Sequence, residues 1–248
     1  MEREKIVSRG LVLRVTDTKE TDQILTVLSA ELGRISVIAK GARSRRSRVG
    51  AACQLLSYSE MTLTQRGEWY YLNEASTLEL FDGVRQDIVL LSLGAFFAEM
   101  TESVVTEAEA QEALRLLLNA LYALGTLRKE PMQVETAFIF RLLSLMGFAP
   151  MVDGCAVCGA EPEKPLLDTV QGIVHCTGCK TGGLSLPLTG AALTALRYIV
   201  SCEDKKLYSF TLPTADLKLL CHAAEAYAAA QLERSFRTLD YYKSICGI

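Results

Sequence analysis

The chain has 248 residues, with 26 Lys and Arg against 29 Asp and Glu, a formal net charge of −3, and half of its residues are hydrophobic. This composition can bury a real core, as one large domain or two smaller ones, and excludes an intrinsically disordered chain. The longest uncharged apolar runs, Ile88 to Ala98 and Leu116 to Leu127, fall short of the ~18–20 residues needed to cross a bilayer, and no apolar signal-peptide core follows Lys5, so a cytoplasmic protein without membrane contact is expected.

Residues 1–80 read as β structure. Short runs rich in Val, Ile, Leu and Thr recur around Val7–Val15, Ile24–Leu28, Ile35–Ala39, Met61–Thr64 and Trp69–Leu72, with turn signals at Glu31–Arg34 and Gln65–Glu68. The second turn predicts a hairpin, because Gly67 can adopt the positive φ that a tight connection needs. Strands this short and this numerous predict a small five-stranded barrel.

The chain's one basic stretch lies inside this region. Arg34, Lys40, Arg43, Arg45, Arg46 and Arg48 lie close together, and no acid occurs from Leu32 to Ser59. The interleaved Gly41, Ser44, Ser47 and Gly50 predict a flexible loop leaving a strand. Guanidinium groups on such a loop can neutralise phosphates without reading sequence, whereas the plainer alternative is a solvated loop with no partner. Nucleic acid is the favoured expectation, because neighbouring like charges repel unless an anion balances them. In Trp69-Tyr70-Tyr71, strand alternation sends Tyr70 to one face and its neighbours to the other; one face is core, and the other can stack unpaired bases.

From about residue 82 the pattern turns helical. Thr106-Glu-Ala-Glu109 has the form of a capping box, and the helix it predicts runs through Leu114, Leu117, Leu118 and Leu121 to Gly125. Pro131 suits the first turn of the next helix and Gly147 its end. Two more helices are expected, from Thr189 and from Thr214 to about Arg234.

Residues 151–187 interrupt this helical region with glycine, proline and cysteine. Cys155-x2-Cys158, seventeen residues, then Cys176-x2-Cys179 is the spacing of a closed four-thiolate zinc site, in which two knuckles complete a tetrahedron around one structural ion. A hairpin around Gln171-Gly172 would give a zinc-ribbon shape. A redox dithiol, a deaminase-type zinc and haem attachment fit less well, since the thioredoxin context, H-x-E and C-x-x-C-H are missing. His175 is expected to be exposed on the hairpin, His222 packed in a helix, and Cys53, Cys202, Cys221 and Cys246 to be small buried residues. Only Lys164 is basic between Cys155 and Cys179, so this module is a poor phosphate surface.

The strand-turn-strand ending Leu32-Gly-Arg-Ile-Ser-Val-Ile-Ala-Lys-Gly-Ala-Arg43, the helix ending Arg141-Leu-Leu-Ser-Leu-Met-Gly-Phe-Ala-Pro150 and the cysteine module that follows together resemble the RecO family of bacterial DNA repair proteins, over essentially the full chain. The resemblance implies an α+β chain: an N-terminal OB-fold nucleic-acid-binding domain over 1–80, then an α-helical domain over 81–248 interrupted by a zinc module at 151–187. It also implies a non-enzymatic recombination mediator that binds single- and double-stranded DNA, anneals complementary strands and helps load RecA onto strands coated by single-stranded DNA-binding protein (SSB). RecR and the acidic C-terminal tail of SSB are the implied partners, and association with the nucleoid during repair the implied location. Arg34, Lys40, Arg43, Arg45, Arg46 and Arg48 map to phosphate contact; Arg128, Lys129 and Arg141 are candidates for the SSB tail. The alternatives are a zinc-ribbon factor of transcription or translation and, with less support, a zinc or thiol enzyme, for which no G-x-S-x-G or H-E-x-x-H exists.

Overall fold

The computed structural model describes residues 5–247. Its first five strands, β1 (Lys5–Thr18), β2 (Asp22–Ser29), β3 (Gly33–Ala39), β4 (Tyr58–Arg66) and β5 (Trp69–Glu79), close into a barrel in the order β1-β2-β3-β5-β4. This is the OB arrangement, antiparallel except where β3 meets β5 in parallel through Val37↔Tyr70 and Ile38↔Tyr71. The long β1 serves two neighbours, pairing with β4 along Lys5–Leu11 and with β2 along Gly10–Thr18. It bends between them at a register shift next to Leu13, as a bulge allows. Gly10 sits at that handover because a Cβ there would lie 2.4 Å from a Val27 methyl. The expected hairpin joins β4 to β5, with Gly67 at φ 63°.

Alternation in β3 turns Ile35, Val37 and Ala39 inward, where they meet Val12, Leu25, Val27, Met61 and Leu63. The β3–β4 connection also contributes, through Ala42 and Cys53. It is not the free loop its glycines and serines suggest. Consecutive turns are held by Ser44 N–H to the Gly41 carbonyl (3.0 Å), Ser47 N–H to Ser44 (2.9 Å) and Cys53 N–H to Val49 (3.1 Å).

The helices are α1 (Asp82–Arg85), α2 (Ile88–Val104), α3 (Ala110–Gly125), α4 (Pro131–Leu145), α5 (Gly190–Ser201), α6 (Thr214–Gln231) and α7 (Arg237–Cys246). Pro131 opens α4, and Thr189 caps α5 by accepting from the Ala192 amide at 3.1 Å, as expected. The capping box does not form. The Thr106 hydroxyl donates to the Glu109 carboxylate instead of accepting from its amide, and α3 starts at Ala110. The two side chains bond to each other, and the Glu109 amide is left outside the helix that a cap at Thr106 would have started. Among the described residues no helix is long and apolar enough to cross a membrane.

By packing, the chain forms two compact units: one runs up to Thr126 and resumes at Phe236, the other is Leu127–Ser235. In the first, α7 returns to α2, with Phe236 edge-on to Phe96 at 5.4 Å and the Thr238 amide donating to Glu99 at 3.1 Å. In the second, α4, α5 and α6 pack together, and the cysteine region adds a sheet of β6 (Pro165–Asp168), β7 (Ile173–Cys176) and β8 (Ser185–Pro187) in the order β7-β6-β8. The β6–β7 hairpin is the one expected, with Gly172 at φ 68°; β8 had no sequence signal.

In the first unit α1 and α3 approach at two glycines: a Cβ on Gly83 would lie 2.3 Å from the Gly125 carbonyl oxygen. Backbone cannot yield as a flexible side chain can. Gly83→Ala is expected to cost about 1–3 kcal/mol of stability, measured as a lower urea midpoint at unchanged slope. An unshifted midpoint would show that these helices are not in close contact.

Candidate nucleic-acid interface and metal centre

The register of the barrel gathers three connections at one end. Ala39 faces Gln23 at the start of β2, Ile38 faces Tyr71 on β5, and Trp69 faces Arg66 across the β4–β5 turn. The β1–β2 turn, the start of the β3–β4 connection and the β4–β5 hairpin therefore lie together. Hydrogen bonds tie the first two: the Gly41 amide donates to Asp22 Oδ1 at 2.8 Å and the Arg43 amide to the Thr21 carbonyl at 3.0 Å.

The basic residues divide by environment. Arg43 is partly engaged by the fold, pairing with Asp17 at 3.4 Å across an exposed surface. Arg45, Arg46 and Arg48 are exposed, and none has a carboxylate at ion-pair distance among the described residues. Lys40 is exposed and lies over the Tyr71 ring, 5.7 Å from its centroid. Arg34 stands apart. It begins β3, ~20 Å of strand from Lys40, and donates to the Glu102 carbonyl in the last turn of α2. It satisfies a carbonyl that a helix end leaves without a partner. Arg85, which sequence reasoning passed over, fixes the far end of the connection by donating to the carbonyls of Leu80 and Leu55.

The four cysteines converge. Their sulfurs all lie within 4.8 Å of one another, with Cys158 and Cys176 at 3.9 Å. Tetrahedral ligands at ~2.3 Å from one ion stand ~3.8 Å apart, so the set can hold a single metal ion. The first knuckle closes through Cys155 N–H to Ala160 (2.8 Å) and Gly159 N–H to Cys155 (2.8 Å), with Gly159 at φ 76°. The second closes through Cys179 N–H to the Cys176 carbonyl at 3.0 Å. Burial works against a Cys155 thiolate, yet the amides of Cys158, Cys176 and Val157 bring the thiol down to about 6. Burial and the Cys155 and Cys158 sulfurs push Cys176 up to about 12, and those same two sulfurs push Cys179 up to about 11. One negative sulfur makes the next unfavourable until a cation balances them. Arg197 of α5 braces the module: its Nε donates to the Val152 carbonyl at 2.7 Å, and its two terminal nitrogens hold Glu161 at 2.9 and 2.8 Å.

Several residues lie where the sequence did not put them. His175 is buried, its ring nitrogens 3.0 Å from the Cys176 carbonyl oxygen and 2.8 Å from the Ser185 hydroxyl, because β8 covers the hairpin. His222 is exposed: its neighbour Cys221 takes the inward position on α6. Cys53 and Cys221 are buried, but Cys202 and Cys246 are only partly so. Cys221 also lies within 4.8 Å of Glu135 and Glu225, a grouping no motif announced. Of the residues assigned to the SSB tail, Arg128 is exposed and Lys129 half-buried, while Arg141 is buried and donates to the carbonyls of Val200 (3.3 Å) and Cys202 (2.5 Å) at the end of α5.

Asp168 was also missed, although an acid four residues before Gly172 is an Asx-turn signal. Its carboxylate accepts from the amides of Val170 (3.0 Å), Gln171 (2.9 Å) and Gly183 (3.0 Å), tying the hairpin to the approach to β8. Burial favours the neutral acid, but the Gln171 amide, the Thr181 hydroxyl and the Val170 and Gly183 amides outweigh it and hold the pKa below the ordinary carboxylate value. A folded pKa below the unfolded one gives stability that is complete at neutral pH and is lost as pH falls through the folded value. Asp168→Asn, which turns a donor toward one of these amides, is expected to cost about 1–3 kcal/mol and to reduce the acid sensitivity of amide protection over residues 165–187. Hydrogen exchange against pH tests this, and an unchanged profile would refute it.

Comparison with known proteins agrees with this architecture. The profile described as "Recombination protein O N terminal" matches residues 1–81, and "Recombination protein O C terminal" matches residues 85–240. The DNA repair protein RecO of Acetivibrio thermocellus is 33% identical over 239 residues, covering 95% of each chain. The RecO of Symbiobacterium thermophilum is 28% identical over 242 residues, covering 95% of this chain and 96% of the relative. Between the two binding-module readings these matches favour repair over transcription or translation. The chain belongs to the RecO family of DNA repair proteins.

Proposed function

We propose that the chain is a recombination mediator that binds single- and double-stranded DNA, anneals complementary strands and assists RecA loading on SSB-coated DNA without catalysing a covalent reaction. The observation that carries the reading is the cationic end of the barrel, where Arg45, Arg46 and Arg48 extend from a connection held in place by hydrogen bonds. With Lys40 they form the phosphate-contacting set; Arg43 mainly holds the connection against Asp17 and Glu20. Neutralising two strands at once lowers the repulsion that opposes pairing and raises the concentration of each strand near the other. RecR is the proposed partner in loading. The exposed Arg128 beside Lys129 is the proposed contact for the acidic SSB tail, since Arg141 is buried. Residues 1–80 are the proposed DNA-binding domain, and residues 81–248, with their module at 151–187, the proposed partner-binding domain.

In DNA titrations across a salt series, changing Arg45, Arg46 and Arg48 together to alanine is expected to flatten the log–log salt dependence by about 0.7–0.9 per lost contact. The same variant should anneal SSB-coated complementary strands more slowly. An unchanged slope would remove the connection from the DNA-binding surface.

Zinc is the ion this four-thiolate set fits best, and its role is structural, because four protein sulfurs leave no position for substrate. Elemental analysis is expected to find one zinc per chain. Cys176→Ser should lose it and destabilise residues 151–187; full retention of metal by that variant would refute the site.

A further inference from the structure

The β4–β5 hairpin carries an aromatic feature that phosphate neutralisation does not use. Tyr70 and Leu72 pack against the barrel core, so strand alternation turns Trp69 and Tyr71 outward. Trp69 is the chain's single tryptophan and is 41% exposed. An isolated exposed apolar side chain needs no explanation. This one has a particular setting: its cross-strand partner is Arg66, and the ring two residues on, Tyr71, has Arg66 4.7 Å and Lys40 5.7 Å from its centroid. Tyr71 thus holds two cations by their attraction to its π face, while Trp69 beside it keeps open area. The turn contributes one acid, Glu68, and a glycine with nothing within 4 Å of its Cβ position, so no bulky group shields the approach. A partly exposed indole, across the strand from Arg66 and two residues from a tyrosine ring that holds Arg66 and Lys40, matches a nucleotide whose base is unpaired: base on indole, phosphate on Arg66 and Lys40. A duplex hides its base faces and can use only the cations.

We infer that Trp69 is a stacking site for an unpaired base of single-stranded DNA, with Tyr71 positioning Arg66 and Lys40 for the adjoining phosphates. This rests on the DNA-binding reading above and adds to it a basis for telling single strands from duplex. Stacking gives affinity that is insensitive to salt, unlike that of the arginine connection.

The lone tryptophan makes the test direct. Titrating the full chain with oligothymidylate is expected to quench Trp69 fluorescence at saturation, while a blunt duplex of equal length leaves it nearly unchanged. Trp69→Leu, which keeps apolar bulk but removes the ring, should weaken oligothymidylate binding on the order of tenfold, leaving duplex affinity and the salt slope unaltered. Trp69→Phe should recover part of the loss, showing that the leucine variant lacks a ring rather than a folded hairpin. Silent fluorescence at saturating oligothymidylate, or equal single-strand affinity for wild type and Trp69→Leu, would overturn the stacking site while leaving the cationic interface standing. Failure of the wild type to bind either DNA would remove both.

Discussion

The cationic end of the barrel depends on the parallel contact of β3 with β5. Only Val37↔Tyr70 and Ile38↔Tyr71 make it, yet it closes a sheet that would otherwise leave two open edges. Closure has a price in connectivity: β3 and β4 are consecutive in sequence but not adjacent in the sheet, so the chain must travel from Ala39 to Tyr58 around the end of the barrel. The basic stretch occupies that path. Ala42, Ala52 and Cys53 are buried along it and Val49 packs against the core, while Arg45, Arg46 and Arg48 between them stay exposed. A cationic segment on a free arm would lose conformational entropy on binding; here folding has already ordered much of its backbone.

The same chemistry serves two different ends. Arg34, Arg85 and Arg141 all direct guanidinium groups at backbone carbonyls, at the ends of helices or connections. Such carbonyls have no intrahelical donor, and a guanidinium that meets them, exposed at Arg34 and withdrawn from water at Arg85 and Arg141, gains charge-assisted bonds. Arg45, Arg46 and Arg48 make no such exchange. Composition cannot separate the two groups, since both are arginines near glycines and serines. What separates them is whether an acceptor from a distant part of the chain arrives at the guanidinium.

That distinction explains what could be read from the sequence. The β runs, the Gly67 hairpin, Pro131 opening α4, Thr189 capping α5 and the paired C-x-x-C knuckles each depend on neighbours within a few residues, and each was legible. His175 was misjudged because β8, ten residues further on and without a periodic signal, covers it. The inward turn of Arg141 had no local signal, because its acceptors lie some sixty residues away. Thr106 shows a local competition that went the other way: threonine and glutamate three apart can cap a helix or bond to each other, and here the side chains chose each other.

The net charge of −3 limits how DNA can be approached. At physiological salt, fields fade over about 8 Å, so an approaching phosphate responds to the charges nearest it rather than to the chain's total. The cysteine module offers little basic surface of its own, with Asp153, Glu161, Glu163 and Asp168 against Lys164 and Lys180. Long-range steering is therefore weak, and attraction to phosphate is confined to a strand that already lies close to the barrel end. Under that constraint each exposed guanidinium there counts for more than it would on a generally basic protein. A contact that ignores salt, such as an open aromatic ring, becomes useful in proportion.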